Sequence, residues 1–89
     1  MKYLFFDIEC CDGVHLCSFG YVINNNNFEI LDKKDLVMNP EAKFNLGGYR
    51  KNPRIDLAYN EDTFIKQKSF KNFYDKIKEL LTAKDTILL

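Results

Sequence analysis

The sequence has a single histidine, no C-x-x-C pair, no net charge and no apolar run long enough to span a bilayer. One histidine with three closely spaced cysteines, Cys10, Cys11 and Cys17, lacks the ligand spacing of a zinc site. An odd set of cysteines, two of them adjacent, points instead to reduced thiols and hence to a cytoplasmic protein. The opening apolar run, residues 3–8, is short and interrupted by acid, so it is neither a secretory signal core nor a membrane span. The 13 basic and 13 acidic residues cancel, which argues against a pure DNA- or RNA-binding module. The balance does not argue against a protein whose bound metals supply their own local positive charge.

What the 89 residues do contain is enough for one small domain: 46% hydrophobic residues, with 8 Phe and 5 Tyr to build a core. The most informative stretch is Tyr3-Leu4-Phe5-Phe6-Asp7-Ile8-Glu9. Without Gly or Pro, and apolar on both faces, it reads as a buried central strand. Alternation puts Tyr3, Phe5, Asp7 and Glu9 on one face and Leu4, Phe6 and Ile8 on the other. Two carboxylates side by side at a strand end repel, and a hydrated Mg²⁺ or Mn²⁺ relieves that repulsion because both ions prefer hard oxygen ligands. The plainer alternative is a pair of acids that reach solvent as the chain leaves the core.

Further along, residues 16–23 form a second strand in which Gly20 allows a neighbour to approach. The run Asn24-Asn25-Asn26-Asn27 suits a hairpin loop, since Asn tolerates left-handed backbone. A third strand over residues 28–31 returns antiparallel, and the apolar pattern resumes at Leu36-Val37-Met38 before Asn39-Pro40 stops it. Residues 39–58 hold both prolines, the Gly47-Gly48 pair and the cations Lys43, Arg50, Lys51 and Arg54. A loop of about twenty residues is often functional or mobile. Its cations and the aromatics Phe44 and Tyr49 either contact a nucleic-acid backbone and stack on a base or form a solvated flap. A short helix is predicted over residues 61–66 or 61–68, with Asn60 as N-cap and Tyr59 and Phe64 as a hydrophobic staple. A longer helix over residues 70–82, capped by Ser69, has its apolar stripe at Phe70, Phe73, Tyr74, Ile77, Leu80 and Leu81. Lys71, Lys76 and Lys78 face water. Thr86-Ile87-Leu88-Leu89 begins a strand that, after a helical crossover, pairs parallel to the first.

This pattern resembles the N-terminal half of the DEDD 3′–5′ exonucleases, the group that includes proofreading subunits of bacterial DNA polymerase III. The residues that carry the likeness are Phe5-Phe6-Asp7-Ile8-Glu9, Cys17-Ser18-Phe19-Gly20-Tyr21-Val22-Ile23, and residues 69–81 leading to Ile87-Leu88-Leu89. The resemblance implies an α/β, ribonuclease H-like mixed sheet, truncated to three antiparallel strands, two helices and a fourth strand parallel to the first. It implies that Asp7 ligates two catalytic Mg²⁺ or Mn²⁺ ions and Glu9 one of them, with a single-stranded DNA or RNA 3′ end as substrate. Two such ions, about 4 Å apart, would activate a water and stabilise the leaving oxygen. It also implies a later Asp motif and a His or Tyr close to a last Asp, neither of which is in the sequence. His15 lies in the turn after the first strand, so the general-base role is not carried over to it. Residues 1–89 are therefore expected to be part of a longer exonuclease domain and inactive alone.

Two other readings compete. A haloacid-dehalogenase-like phosphohydrolase also opens on a strand ending in acids, but there a second Asp would stand at Glu9 and a helix would follow. A non-catalytic module would use the 39–58 loop and the open sheet, with a homodimer formed through the exposed edge of the C-terminal strand.

Overall fold

The computed structural model describes residues 1–48 and 54–89. The strands are β1 (Lys2–Cys10), β2 (Leu16–Asn24), β3 (Ile30–Val37) and β4 (Thr86–Leu88). Between β3 and β4 lie the helices α1 (Glu61–Ile65) and α2 (Tyr74–Thr82), with a 3-10 turn, Phe70–Asn72, before α2. The fold is α/β, with one mixed sheet in the order β3-β2-β1-β4. β1 and β2 pair antiparallel, as do β2 and β3, while β4 runs parallel to β1. Among the described residues no helix is long and apolar enough to cross a membrane.

One face of the sheet packs on α2. Leu4, Phe19, Tyr21, Met38, Ile77 and Leu80 are buried together there, with Leu16, Ile23, Leu36, Phe73 and Leu81 around them. Each fully buried Leu or Ile of this kind stabilises the fold by about 1.5–3 kcal/mol. A second cluster at the other end of the sheet joins Cys11, Cys17 and Phe64 with Val37, Ala42, Phe44 and Leu57. It anchors α1. As expected, Asn60 caps that helix, its side chain accepting from Thr63 N–H at 3.0 Å, and Tyr59 meets Phe64 edge-on at 5.9 Å.

Several local expectations shift. β1 is interior in the strand order but not buried on both faces: Leu4 is fully buried while Phe5 and Phe6 are each 38% exposed and Ile8 52%. β4 pairs only with residues 2–4, so the rest of β1 has a free edge beyond Leu4. β3 is one strand of eight residues, not two pieces, and Asp32, Lys33, Lys34 and Asp35 belong to it. It is the margin of the sheet, where charge costs little and discourages pairing with other chains. In the asparagine turn the left-handed residue is Phe28, at φ 59, while Asn25 stabilises the loop by accepting from Asn27 N–H and Glu29 N–H. Phe28 gains a stack on Tyr3 at 5.2 Å.

The helix predicted over 70–82 is interrupted at Phe73, whose φ of −108 and ψ of −8 join a 3-10 turn to α2. Ser69 Oγ does not cap it but accepts from the Asn72 side chain at 3.1 Å. Phe70 and Tyr74 leave the core stripe and pair edge-on at 5.9 Å, partly in solvent. Lys71 and Lys78 face water, and Lys76 is half-buried.

Candidate functional site

Asp7 and Glu9 do share one face of β1. Asp7 lies opposite Gly20, and Glu9 opposite Ser18. Gly20 in turn lies opposite Asp35 on β3. Directly opposed residues point to the same face, so Asp7, Gly20 and Asp35 form one row across three strands. Gly20 has no side chain, and this leaves a gap between the two carboxylates. A Cβ placed there would sit 3.7 Å from Asp35 Oδ1. The row ends a cleft of about 630 Å³ whose walls include Phe5, Val22 and Lys33.

The two acids of the D-x-E pair are not equivalent. Asp7 is exposed, and its carboxylate makes no hydrogen bond among the described residues. Glu9 is half-buried, and its Oε2 accepts from Ala58 N–H at 3.1 Å. Asp35 is engaged at both oxygens: Oδ1 accepts from the buried Ser18 hydroxyl at 2.8 Å and Oδ2 from Tyr59 Oη at 3.1 Å. The carboxylate beside Tyr59 raises the pKa of that phenol, because it stabilises the protonated form. Residues 58–60, leading into α1, thus lie as a strap across this end of the sheet, held by an acid from β1 and an acid from β3.

As donors, Asp7 and Glu9 offer the hard oxygens that Mg²⁺ and Mn²⁺ select. Glu9 Oε1 and both oxygens of Asp7 have no protein partner among the described residues. A pair of strand carboxylates, roughly 7 Å apart along the backbone, suits one ion that keeps most of its water. A closed cage is a different matter: among the described residues no group of three or more His, Cys, Asp or Glu is arranged to hold an ion.

Two of the loop cations, Lys43 and Arg54, lie among the described residues. Lys43 is exposed, and its carbonyl accepts a weak bond from Cys11 Sγ at 3.9 Å. Arg54 is exposed, with Nε 3.7 Å from Asp56 Oδ1. Tyr49, Arg50 and Lys51 lie outside the described residues. His15 is an exposed turn residue whose Nδ1 meets Asp12 Oδ2, remote in role from the acid row. Asp12 also accepts from Val14 N–H at 2.9 Å and His15 N–H at 2.6 Å. These bonds, the two backbone donors foremost, lower its pKa to about 2.

The thiols flank the same end of the sheet. Cys17 is the extra residue where β2 passes from Ser18, opposite Glu9, to Leu16, opposite Cys10. Such a bulge lets two successive side chains lie toward one side. Burial, with Cys11 and Glu9 nearby, pushes the Cys17 thiol up to about 12, and Cys10 and Cys11 are raised chiefly by burial too. All three cysteines are free.

Sequence reading missed Asp35, Tyr59 and Ala58. Asp35 stands in the charged stretch Asp32-Lys33-Lys34-Asp35, whose spacing suggests no ligand. Counting the ladder back from the Asn25 turn would have put it beside Gly20. Tyr59 was assigned to the helix staple alone, and Ala58 contributes only a backbone N–H. No protein-family model, curated protein or solved structure matches this chain.

Proposed function

We propose that this chain supplies the first metal-binding motif of a two-metal 3′–5′ exonuclease of ribonuclease H-like fold. The observation that carries the reading is the situation of Asp7 and Glu9. They occupy one face of β1 just beyond Leu4, where the parallel neighbour β4 stops. The strand order β3-β2-β1-β4, with a helical connection into a parallel β4, is the layout the family resemblance implies. The antiparallel β1–β2 hairpin speaks against the dehalogenase-like alternative, which needs a helix after its first strand.

In this reading Asp7 and Glu9 hold a Mg²⁺ or Mn²⁺ ion, and a second ion needs further carboxylates that these residues do not group with them. The chemistry such an ion would supply there is polarisation of a phosphate and activation of water. Asp7, exposed and uncommitted, would offer both carboxylate oxygens to the ion. Glu9, held at one oxygen, binds through the other. A single-stranded DNA or RNA 3′ end is the substrate class. The 89-residue chain alone should show negligible turnover, and a substantial Mg²⁺-dependent rate abolished by Asp7→Ala would refute that.

Mn²⁺ titration with amide NMR detection tests the metal site. Paramagnetic broadening should centre on residues 7–9 and on Gly20 across the ladder, and Asp7→Asn should remove it. Broadening spread evenly over all surface acids would reject the reading. One observation favours a second, non-catalytic role. β1 beyond Leu4 has no ladder partner on the β4 side among the described residues, so a homodimer could form through that edge. A sedimentation coefficient independent of concentration into the millimolar range would exclude it.

A further inference from the structure

We propose that the strap at residues 58–60 is a positioning device for Glu9, with the Ala58 amide fixing that carboxylate for metal binding; the inference rests on the metal reading given above. Three contacts hold the strap. Ala58 N–H donates to Glu9 Oε2 at 3.1 Å, Tyr59 Oη donates to Asp35 Oδ2 at 3.1 Å, and the Asn60 side chain caps α1 through Thr63 N–H at 3.0 Å. Behind them, Tyr59 rests edge-on against Phe64, which is fully buried among Cys11 and Cys17. The amide is therefore backed, through Tyr59, by a buried side chain.

Glu has three rotatable bonds, and a free glutamate at a strand end pays to order them when it binds an ion. An N–H bond to one oxygen settles the carboxylate orientation beforehand and leaves Oε1 for the cation. Groups that orient a metal ligand through its other atom commonly change affinity 10–100-fold when removed. Asp35 acts one step further out. It anchors Tyr59 and so sets the height of Ala58 above Glu9, which gives the acid on β3 a part in the site without being a ligand. Because linkage is reciprocal, a metal that prefers the oriented Glu9 must also favour the docked strap.

The test uses the full 89-residue chain and Mn²⁺ alone. Ala58→Pro deletes the donor, and Ala58→Gly keeps it. The proline variant should bind Mn²⁺ about tenfold more weakly by paramagnetic broadening at residues 7–9, with the glycine variant at the parental affinity. Tyr59→Phe, which keeps every backbone donor but frees Asp35 Oδ2, should weaken binding by a smaller factor, and it serves should the proline variant not fold. Hydrogen exchange at the Ala58 amide should slow when Mg²⁺ is added to the parent chain. Absence of broadening at residues 7–9 in the parent refutes the metal site and this inference with it. Parental binding with unaltered affinity in the folded proline variant or in Tyr59→Phe, and no change in Ala58 exchange, refutes the positioning role alone.

Discussion

Replacing Phe64 with alanine removes the side chain on which both the strap and the second core cluster depend. Phe64 is 0% exposed, and its ring lies 5.9 Å from the rings of both Phe44 and Tyr59. Truncating a buried Phe to Ala costs about 3–5 kcal/mol, the transfer term plus the cavity left behind. Helix α1 has only five residues, too short to persist on intrinsic propensity. The cavity has little support on that side and can partly collapse, which favours the lower end, about 3 kcal/mol. Cys11 and Cys17 bring the β1–β2 hairpin into the same cluster, so the loss should register in global unfolding and not only in local fraying of α1. Small domains are stable by roughly 5–15 kcal/mol, so about 3 kcal/mol is a large share of the total. Urea denaturation followed by far-UV circular dichroism measures it. A loss below about 1 kcal/mol, with an unchanged urea slope, would refute the claim that α1 and the sheet share a packed, cooperative cluster.

Two further outcomes follow from the turn and the thiols. The lowered pKa of Asp12 makes its contribution to stability complete above the usual carboxylate range near 3.8, and lost as pH falls through about 2. The Val14 and His15 amide signals should therefore titrate with a midpoint near 2; a midpoint near 4 would show that the turn bonds do not hold the charged form. In iodoacetamide at pH 8 the half-buried Cys10 should be modified first, and Cys11 and Cys17 only on unfolding, because both are buried and reactivity belongs to the thiolate. Mass spectrometry of the native chain decides this, and early modification of Cys17 would contradict its burial.

Much of the architecture can be read from local rules. The face shared by Asp7 and Glu9 follows from strand alternation, and the parallel β4 follows from the preference of a helical crossover. The cap at Asn60 and the staple of Tyr59 on Phe64 are short-range chemistry and come through unchanged. What escaped depends on distance in sequence. Asp32 to Asp35 read as a break between apolar pieces, yet a strand at the sheet margin tolerates charge on both faces. The partnership of Asp35 with Ser18 and Tyr59 requires the register of two hairpins plus the docking of a remote loop. The break at Phe73 has no Gly or Pro to announce it. Phe70 and Tyr74 keep apolar spacing but pair with each other, so periodicity alone assigned them to the core.

The connection between β1 and β4 also sets an order of events. The ladders of β1 with β2 and of β2 with β3 are closed by short turns, whereas β4 brings residues 86–88 beside residues 2–4. Closing the longer loop costs more chain entropy, and only three residue pairs repay it. The three-stranded meander should consequently assemble early and hold its register while the β1–β4 seam forms late and opens first. Opening of that seam would uncover residues 2–4 while leaving the Asp7, Gly20 and Asp35 pairing across β1, β2 and β3 intact.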